Sequence, residues 1–190
     1  PSQTLVGNLS FTSYGATFFA NSYLYMANMS DDLRQVTFGG PTDSSYCDVD
    51  GGVGGSKDYR FGDIVVAPGT QTLYGSAVGV NAEFFSVDLG ACTGFTVLCD
   101  SGDLDCADGL QLAYGSNGVL YGHFAGGGDF FEVDPTTGLQ FTSDDSPVCT
   151  TGPYTDLASG PQCSPEGETA WGFGPPFAGT SWATYILVGN

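Results

Sequence analysis

The sequence predicts an all-β protein, and three observations carry that reading. Lys, Arg and Glu, which cover exposed helix faces, are almost absent: the bases are Arg34, Lys57 and Arg60, and Asp outnumbers Glu by 17 to 4. Glycine occurs 30 times among 190 residues and, with Asp, Ser, Thr and Asn, supplies turns at short intervals. Between those turns lie short runs rich in Val, Phe, Tyr, Thr and Ile, the residues that suit a pleated surface. Apolar residues make up 41% and aromatics 14%, enough to fill a core and too many for a disordered chain. One domain, 1–190, is the expected organisation at this length. A net charge of −18 repels phosphate backbones and anionic lipid, which excludes nucleic-acid and membrane-surface roles. No apolar run approaches the roughly 20 residues of a membrane helix. The chain opens at Pro1 without an initiator Met or a signal peptide, and so reads as a processed form.

An internal repeat orders the elements. Gly62 to Ala67, Leu73-Tyr74-Gly75, Glu83-Phe84-Phe85-Ser86-Val87-Asp88 and Thr93-Gly94-Phe95-Thr96-Val97 recur as Asp108 to Ala113, Leu120-Tyr121-Gly122, Asp129 to Asp134 and Thr137 to Phe141. The order is kept, at offsets of 44 to 47 residues. Fainter copies flank these: Gly15 to Ala20, Leu24-Tyr25 and Leu33 to Phe38 before, and Leu157-Ala158, Ala170-Trp171-Gly172 and Trp182 to Ile186 after. The aromatic of the second strand falls at Tyr25, Tyr74, Tyr121 and Trp171. Asp88 and Asp134 are turn formers, and Gly94 and Gly138 supply positive φ where needed. The units expected are 13–58, 59–106, 107–152 and 153–190, preceded by a strand within 1–12 that closes its own sheet or is lent to a neighbour.

A unit of about 45 residues with three or four antiparallel strands resembles a β-propeller blade of the WD40, NHL or quinoprotein-like kind. No Trp-Asp or Gly-His signature accompanies it. The resemblance implies sheets arranged about an axis. The alternative is a two-layer immunoglobulin-like β-sandwich completed by the N-terminal strand. Thr4, Leu5, Val6, Gly7 and Leu9 are the expected assembly strand, completing a sheet of a neighbouring subunit; in the sandwich form it is similar to the donor strand of pilus subunits.

Cys47, Cys92, Cys99, Cys106, Cys149 and Cys163 form no metal-type CxxC pair, and the sole histidine, His123, is distant from all of them in sequence. Disulfides are therefore expected, and with them an extracellular or cell-surface location. Six cysteines leave 15 pairings open. Nearest neighbours suggest Cys99–Cys106 and Cys149–Cys163, leaving Cys47 with Cys92. Asn8 and Asn28 head glycosylation sequons.

Catalytic signals are sparse. His123 stands alone, and no Gly-x-Ser-x-Gly elbow is present. Gly51 to Lys57 lacks phosphate-loop spacing and reads as a loop. Glu132 and Asp134 share a strand face, but Asp134 has its repeat counterpart in Asp88, so only Glu132 is free for a special role. Asp100, Asp103, Asp105 and Asp108 crowd into nine residues and suit a Ca²⁺ shell without EF-hand spacing. Asp43, Asp48 and Asp50 form a looser acidic set. Trp171, Phe173 and Phe177 offer rings for stacking on sugars. The reading reached is a secreted, non-catalytic subunit that polymerises with copies of itself into a filament or matrix. Its alternative is a secreted propeller-like module, calcium-stabilised, that binds glycans or protein.

Overall fold

The computed structural model describes residues 9–10, 13–20, 22–27, 32–37, 43–49, 58–78, 82–115, 118–124 and 130–141. These residues form strands and turns, with no helix among them. The first sheet contains β1 (Ser13–Phe19), β2 (Ser22–Ala27), β3 (Asp32–Thr37) and β4 (Asp43–Asp48). The second contains β5 (Asp58–Val66), β6 (Thr72–Val78), β7 (Glu83–Asp88) and β8 (Thr93–Asp100). The third contains β9 (Leu110–Tyr114), β10 (Leu120–Phe124) and β11 (Phe130–Val133). Each sheet is an antiparallel meander in which sequence neighbours pair. Beyond β11 the chain makes single bridges, Val133 with Gln140 and Cys106 with Leu139, where the second sheet has a full outer strand.

Two apolar cores lie between sheets. Leu24, Met26, Leu33 and Cys47 of the first sheet pack with Ile64, Leu73, Phe85 and Val87 of the second. The other face of the second sheet, with Val65, Phe84 and Cys99, packs with Leu110, Leu112, Leu120 and Val133 of the third. Each large apolar side chain buried this way contributes about 1.5–3 kcal/mol relative to exposure. The second sheet is thus covered on both faces, and three sheets stacked in succession replace the two-layer sandwich.

The inner strands stand side by side. The Val66 amide of β5 donates to Thr17 Oγ1 of β1 at 3.3 Å, and Ala16 lies opposite Asp63. Gln111 Nε2 of β9 donates to the Gly62 carbonyl at 3.0 Å, and Leu112 lies opposite Asp63. Both pairs of contacts advance together along the chain, so β1, β5 and β9 run in one direction. Each meander then returns from its outer strand to start the next sheet at the inner position. The return from β8 to β9 is closed by the Cys99–Cys106 disulfide, whose Cα atoms are 5.7 Å apart.

The first copy of the repeat is out of step with the other two. Leu73 faces the first sheet while Tyr74 packs toward the third. In the first sheet Leu24 and Met26 face the second, so Tyr25 between them faces the opposite way. A one-residue slip exchanges the two faces, and matching Tyr25 with Tyr74 by residue type conceals it.

Close backbone approach fixes one glycine. A Cβ on Gly62 would lie 2.0 Å from the Ser76 carbonyl oxygen, an atom of the neighbouring strand that cannot swing aside. Gly62→Ala is expected to destabilise by about 1–3 kcal/mol, read as a lower urea midpoint at an unchanged slope.

Candidate functional site

Buried polar groups divide into those committed to holding the sheets and those that are not. Asp63 is the clearest case of the first kind. Only 2% exposed, it sits at the middle of the three inner strands. Its Oδ1 accepts from the amides of Ala16 (3.3 Å) and Ile64 (2.7 Å), and its Oδ2 accepts from the amide of Leu112 (3.1 Å). One carboxylate therefore serves β1, β5 and β9 together. Such amides have no ladder partner on that side, and a buried N–H needs an acceptor. Ser76 does similar work one strand out: its hydroxyl donates to the Ala107 carbonyl and accepts from the Leu110 amide, both at 2.8 Å.

A second network lies on the first sheet, on the face turned away from the second. Tyr25, Arg34 and Ser45 are aligned across β2, β3 and β4, with Asp43 two residues before Ser45. Asp43 Oδ2 accepts from Tyr25 Oη at 2.5 Å and from Arg34 Nε at 2.6 Å. Its Oδ1 accepts from the Ser10 amide (3.1 Å) and hydroxyl (2.5 Å). Arg34 also donates to Asp32 at 2.6 Å, and Ser45 donates to Asp32 as well. Burial alone would raise the Asp43 carboxyl's pKa; the bonds from Ser10, Tyr25 and Arg34 overcome that and hold it far below the ordinary carboxylate range. The same contact with Asp43 raises the Arg34 guanidinium.

The turn acids behave as the repeat implies. Asp88 Oδ1 accepts from the Gly90 amide at 2.8 Å, and Asp134 Oδ1 from the Thr136 amide at 2.8 Å. The Thr136 amide, with Thr137, lowers the Asp134 pKa against the opposing effect of burial. Gly138 takes the left-handed conformation with φ of 75°. Gly94 lies within β8.

In the acidic loop, carboxylates are engaged by the loop's own backbone amides. Asp100 Oδ1 accepts from the Gly102 amide at 2.8 Å and Asp103 Oδ2 from the Asp100 amide at 3.1 Å. Asp105 is exposed, with φ of 60°. Asp108 is half-buried, its pKa raised chiefly by that burial. Among the described residues no group of three or more His, Cys, Asp or Glu is placed to hold a metal ion. In the looser set, Asp43 is committed to Arg34, Asp48 is exposed, and Asp50 is outside the described residues.

A further polar cluster lies on the third sheet. Gly122 is fixed toward the core shared with the second sheet, since a Cβ there would meet Leu110 and Val133. Tyr121 and His123, on either side of it, therefore occupy the opposite face. Glu132 stands directly across from Tyr121 in the β10–β11 ladder. His123 is fully buried; Tyr121 and Glu132 are half-buried. An imidazole, a carboxylate and a phenol on one sheet face can accept, hold and return a proton. His123 and Glu132 were each visible in the sequence as single candidates, but the third member and their shared face were not.

Several expected sites fall elsewhere. Thr4, Leu5, Val6, Gly7, Asn8, Asn28, Cys149, Cys163, Gly51 to Lys57, and Trp171, Phe173 and Phe177 lie outside the described residues. Leu9 is exposed and belongs to no strand, while its neighbour Ser10 is held by Asp43 of the same chain. Cys47 and Cys92 are thiols. Among the described residues no helix is long and apolar enough to cross a membrane. The Cys99–Cys106 bond is compatible with an oxidising compartment.

No protein-family model matches this chain, and no curated protein sequence does. Solved structures do. The fold is similar to the PQQ-bound form of an aldose sugar dehydrogenase from Streptomyces coelicolor, with TM-score 0.50 and 13% identity over 70% of this chain and 47% of that one. An oxidoreductase of Thermus thermophilus described as a glucose dehydrogenase gives TM-score 0.49 at 16% identity, over 71% of this chain and 46% of that one. An exo-β-1,3-galactanase from Bifidobacterium bifidum gives 0.46 at 11%, over 76% and 54%. These last two likenesses are too weak to carry an argument. The chain spans about half the length of the structures it resembles. The likeness is one of propeller-type fold.

It also corrects the expected function. The structure whose fold this chain resembles is described as a sugar dehydrogenase and not as a filament subunit, so the non-catalytic, self-polymerising reading is withdrawn. The joint proposed for it has no support at Leu9, the one assembly-strand residue described.

Proposed function

We propose that this chain belongs to a sugar-acting enzyme built on a propeller-type scaffold and working in an oxidising, extracytoplasmic compartment. The observation that carries the reading is the shared sheet face of Tyr121, His123 and Glu132. His123 serves as the proton acceptor and donor, and Glu132 and Tyr121 set the local polarity. The sugar class follows from the dehydrogenase whose fold this chain resembles. A net charge of −18 restricts the substrate to neutral or cationic sugars.

The cofactor of that dehydrogenase does not transfer with the fold. PQQ is a polycarboxylate and needs cationic partners. Of the three bases here, Arg34 is already held by Asp32 and Asp43. Among the described side chains Arg34 is the one base, and it is already engaged, so no step is routed through the group.

A structural reading of His123 competes. Gln111 pairs with His123 as Asp63 pairs with Ser76, so His123 occupies the third-sheet position equivalent to Ser76, which is an inter-sheet strut. The test separates the two. Purified protein is assayed with neutral aldoses plus an electron-accepting dye, and with neutral aryl glycosides, each with and without PQQ. Turnover that falls about 10²–10⁴-fold in His123→Gln, with an unchanged melting temperature, supports the acid–base role. Absence of turnover, turnover indifferent to the substitution, or a loss that tracks unfolding overturns it.

A further inference from the structure

Cys47 and Cys92 are 45 positions apart and belong to different sheets. Cys47 lies near the end of β4, and Cys92 ends the turn that joins β7 to β8. They meet at the core between the first and second sheets, where Cys47 is a buried member and Cys92 packs against it. Cys92 is near enough to Cys47 to add to the rise in its pKa that burial causes. Cys92 Sγ also donates to the carbonyl of Tyr46, beside Cys47, at 3.6 Å. Cys92 has φ of 49°, a left-handed conformation uncommon for a residue with a Cβ. Tyr46 in turn donates its hydroxyl to the Leu89 carbonyl at 3.2 Å, so the β7–β8 turn is fastened to β4 on both sides of the thiol pair.

We propose that Cys47 and Cys92 form a redox-active dithiol that closes, by exchange with a low-molecular-weight disulfide, into a bond stapling the first sheet to the second. Cys92, half-exposed, is the sulfur that solvent-borne reagents reach first. Burial, reinforced by the contact with Cys92, raises the pKa of the Cys47 thiol and keeps it protonated until the exchange begins. The Cys92 thiolate attacks one sulfur of the reagent, forming a mixed disulfide and expelling one reagent thiolate. The Cys47 thiol loses its proton and attacks Cys92 Sγ. That breaks the bond to the reagent and releases its second half as thiolate. The protein dithiol is oxidised by two electrons, the reagent is reduced to two thiols, and the two protons lost by the protein are taken up by them.

The bond differs from Cys99–Cys106, which closes only the short connection from β8 to β9. A Cys47–Cys92 bond closes a much longer loop, and long loops restrict the unfolded chain more. The experiment equilibrates the intact protein with oxidised and then reduced glutathione, alkylates the remaining thiols, and maps cysteine peptides by mass spectrometry without reduction. The expected result is a Cys47–Cys92 linked peptide under oxidised glutathione. It should convert to two alkylated cysteines under reduced glutathione while Cys99–Cys106 persists. The oxidised form should melt about 10 °C higher. Both cysteines alkylated under oxidised glutathione, either one linked to Cys149 or Cys163, or a stable glutathione adduct on Cys92 overturns the proposal. No variant is required, so a folding defect cannot mask the outcome.

Discussion

Asp63→Ala is expected to cost about 3–5 kcal/mol of folding stability, the range for breaking a buried charged network. The substitution strips the acceptor from the amides of Ala16, Ile64 and Leu112 at once. Each orphaned, buried amide is worth roughly 1–3 kcal/mol, and partial relaxation keeps the total below their sum. The melting temperature should fall by about 10 °C or more for a chain of this length. Asp63→Asn refines the test. It retains one carbonyl oxygen for two of the amides but turns an NH₂ toward a backbone donor, so its loss should be intermediate. Urea titration of the three proteins gives the ordering. A loss under about 1 kcal/mol in Asp63→Ala would mean the three inner strands do not depend on this carboxylate.

The second large effect belongs to Asp43, and it has a pH signature. Asp43→Ala takes one acceptor from the Arg34 guanidinium and removes a partner of Tyr25 and of Ser10. A loss of about 3–5 kcal/mol is expected at neutral pH. The sign of the pH dependence follows from the lowered pKa of the Asp43 carboxyl in the folded state. A carboxyl more acidic folded than unfolded favours folding wherever the unfolded chain would be ionised. That stabilisation is complete above about pH 5 and is lost progressively as pH falls below roughly 4. The wild type should therefore lose stability steeply on acidification, and Asp43→Asn should show a shallower slope over the same interval. Urea midpoints measured between about pH 7 and pH 3 check this. Parallel curves for the two proteins would show that Asp43 is not the titrating group.

These two residues also mark where sequence reading stopped. The strands were legible because branched and aromatic runs alternate with Gly, Asp and Pro. The turn role of Asp88 and Asp134 was legible because the same residues recur in the same place. The Cys99–Cys106 bond was legible from proximity alone. Asp63 was harder. The sequence repeat sets it against Gly109, and its counterpart by strand register is Gln111; neither is an acid, so the repeat gave no hint of it. The available signal was a carboxylate at the head of the apolar run Ile64-Val65-Val66, a position that demands a partner. The Arg34–Asp43 pair offered another, since one of only three bases sits within Leu33 to Phe38, a segment that the repeat marks as a strand.

The Tyr25 slip has a different origin. Aromatics on both faces of a sheet satisfy the same pattern, and side-chain direction, not residue type, decides which sheet they meet. The cluster of Tyr121, His123 and Glu132 required the β10–β11 register, which no single-strand pattern supplies. The filament reading came from the strand-like opening residues, whose pairing no local pattern determines.

The arrangement of β1, β5 and β9 about Asp63 is the premise on which the scaffold, and hence the placing of the third-sheet cluster, depends. Residue-resolved amide hydrogen exchange on the unmodified protein examines it without any mutation. The amides of Ala16, Ile64 and Leu112 should exchange among the slowest in the molecule, with the same free energy of opening as global unfolding. Rapid exchange at Ala16 and Leu112, or protection of the three at clearly different free energies, would contradict a shared carboxylate and the side-by-side packing of the three inner strands.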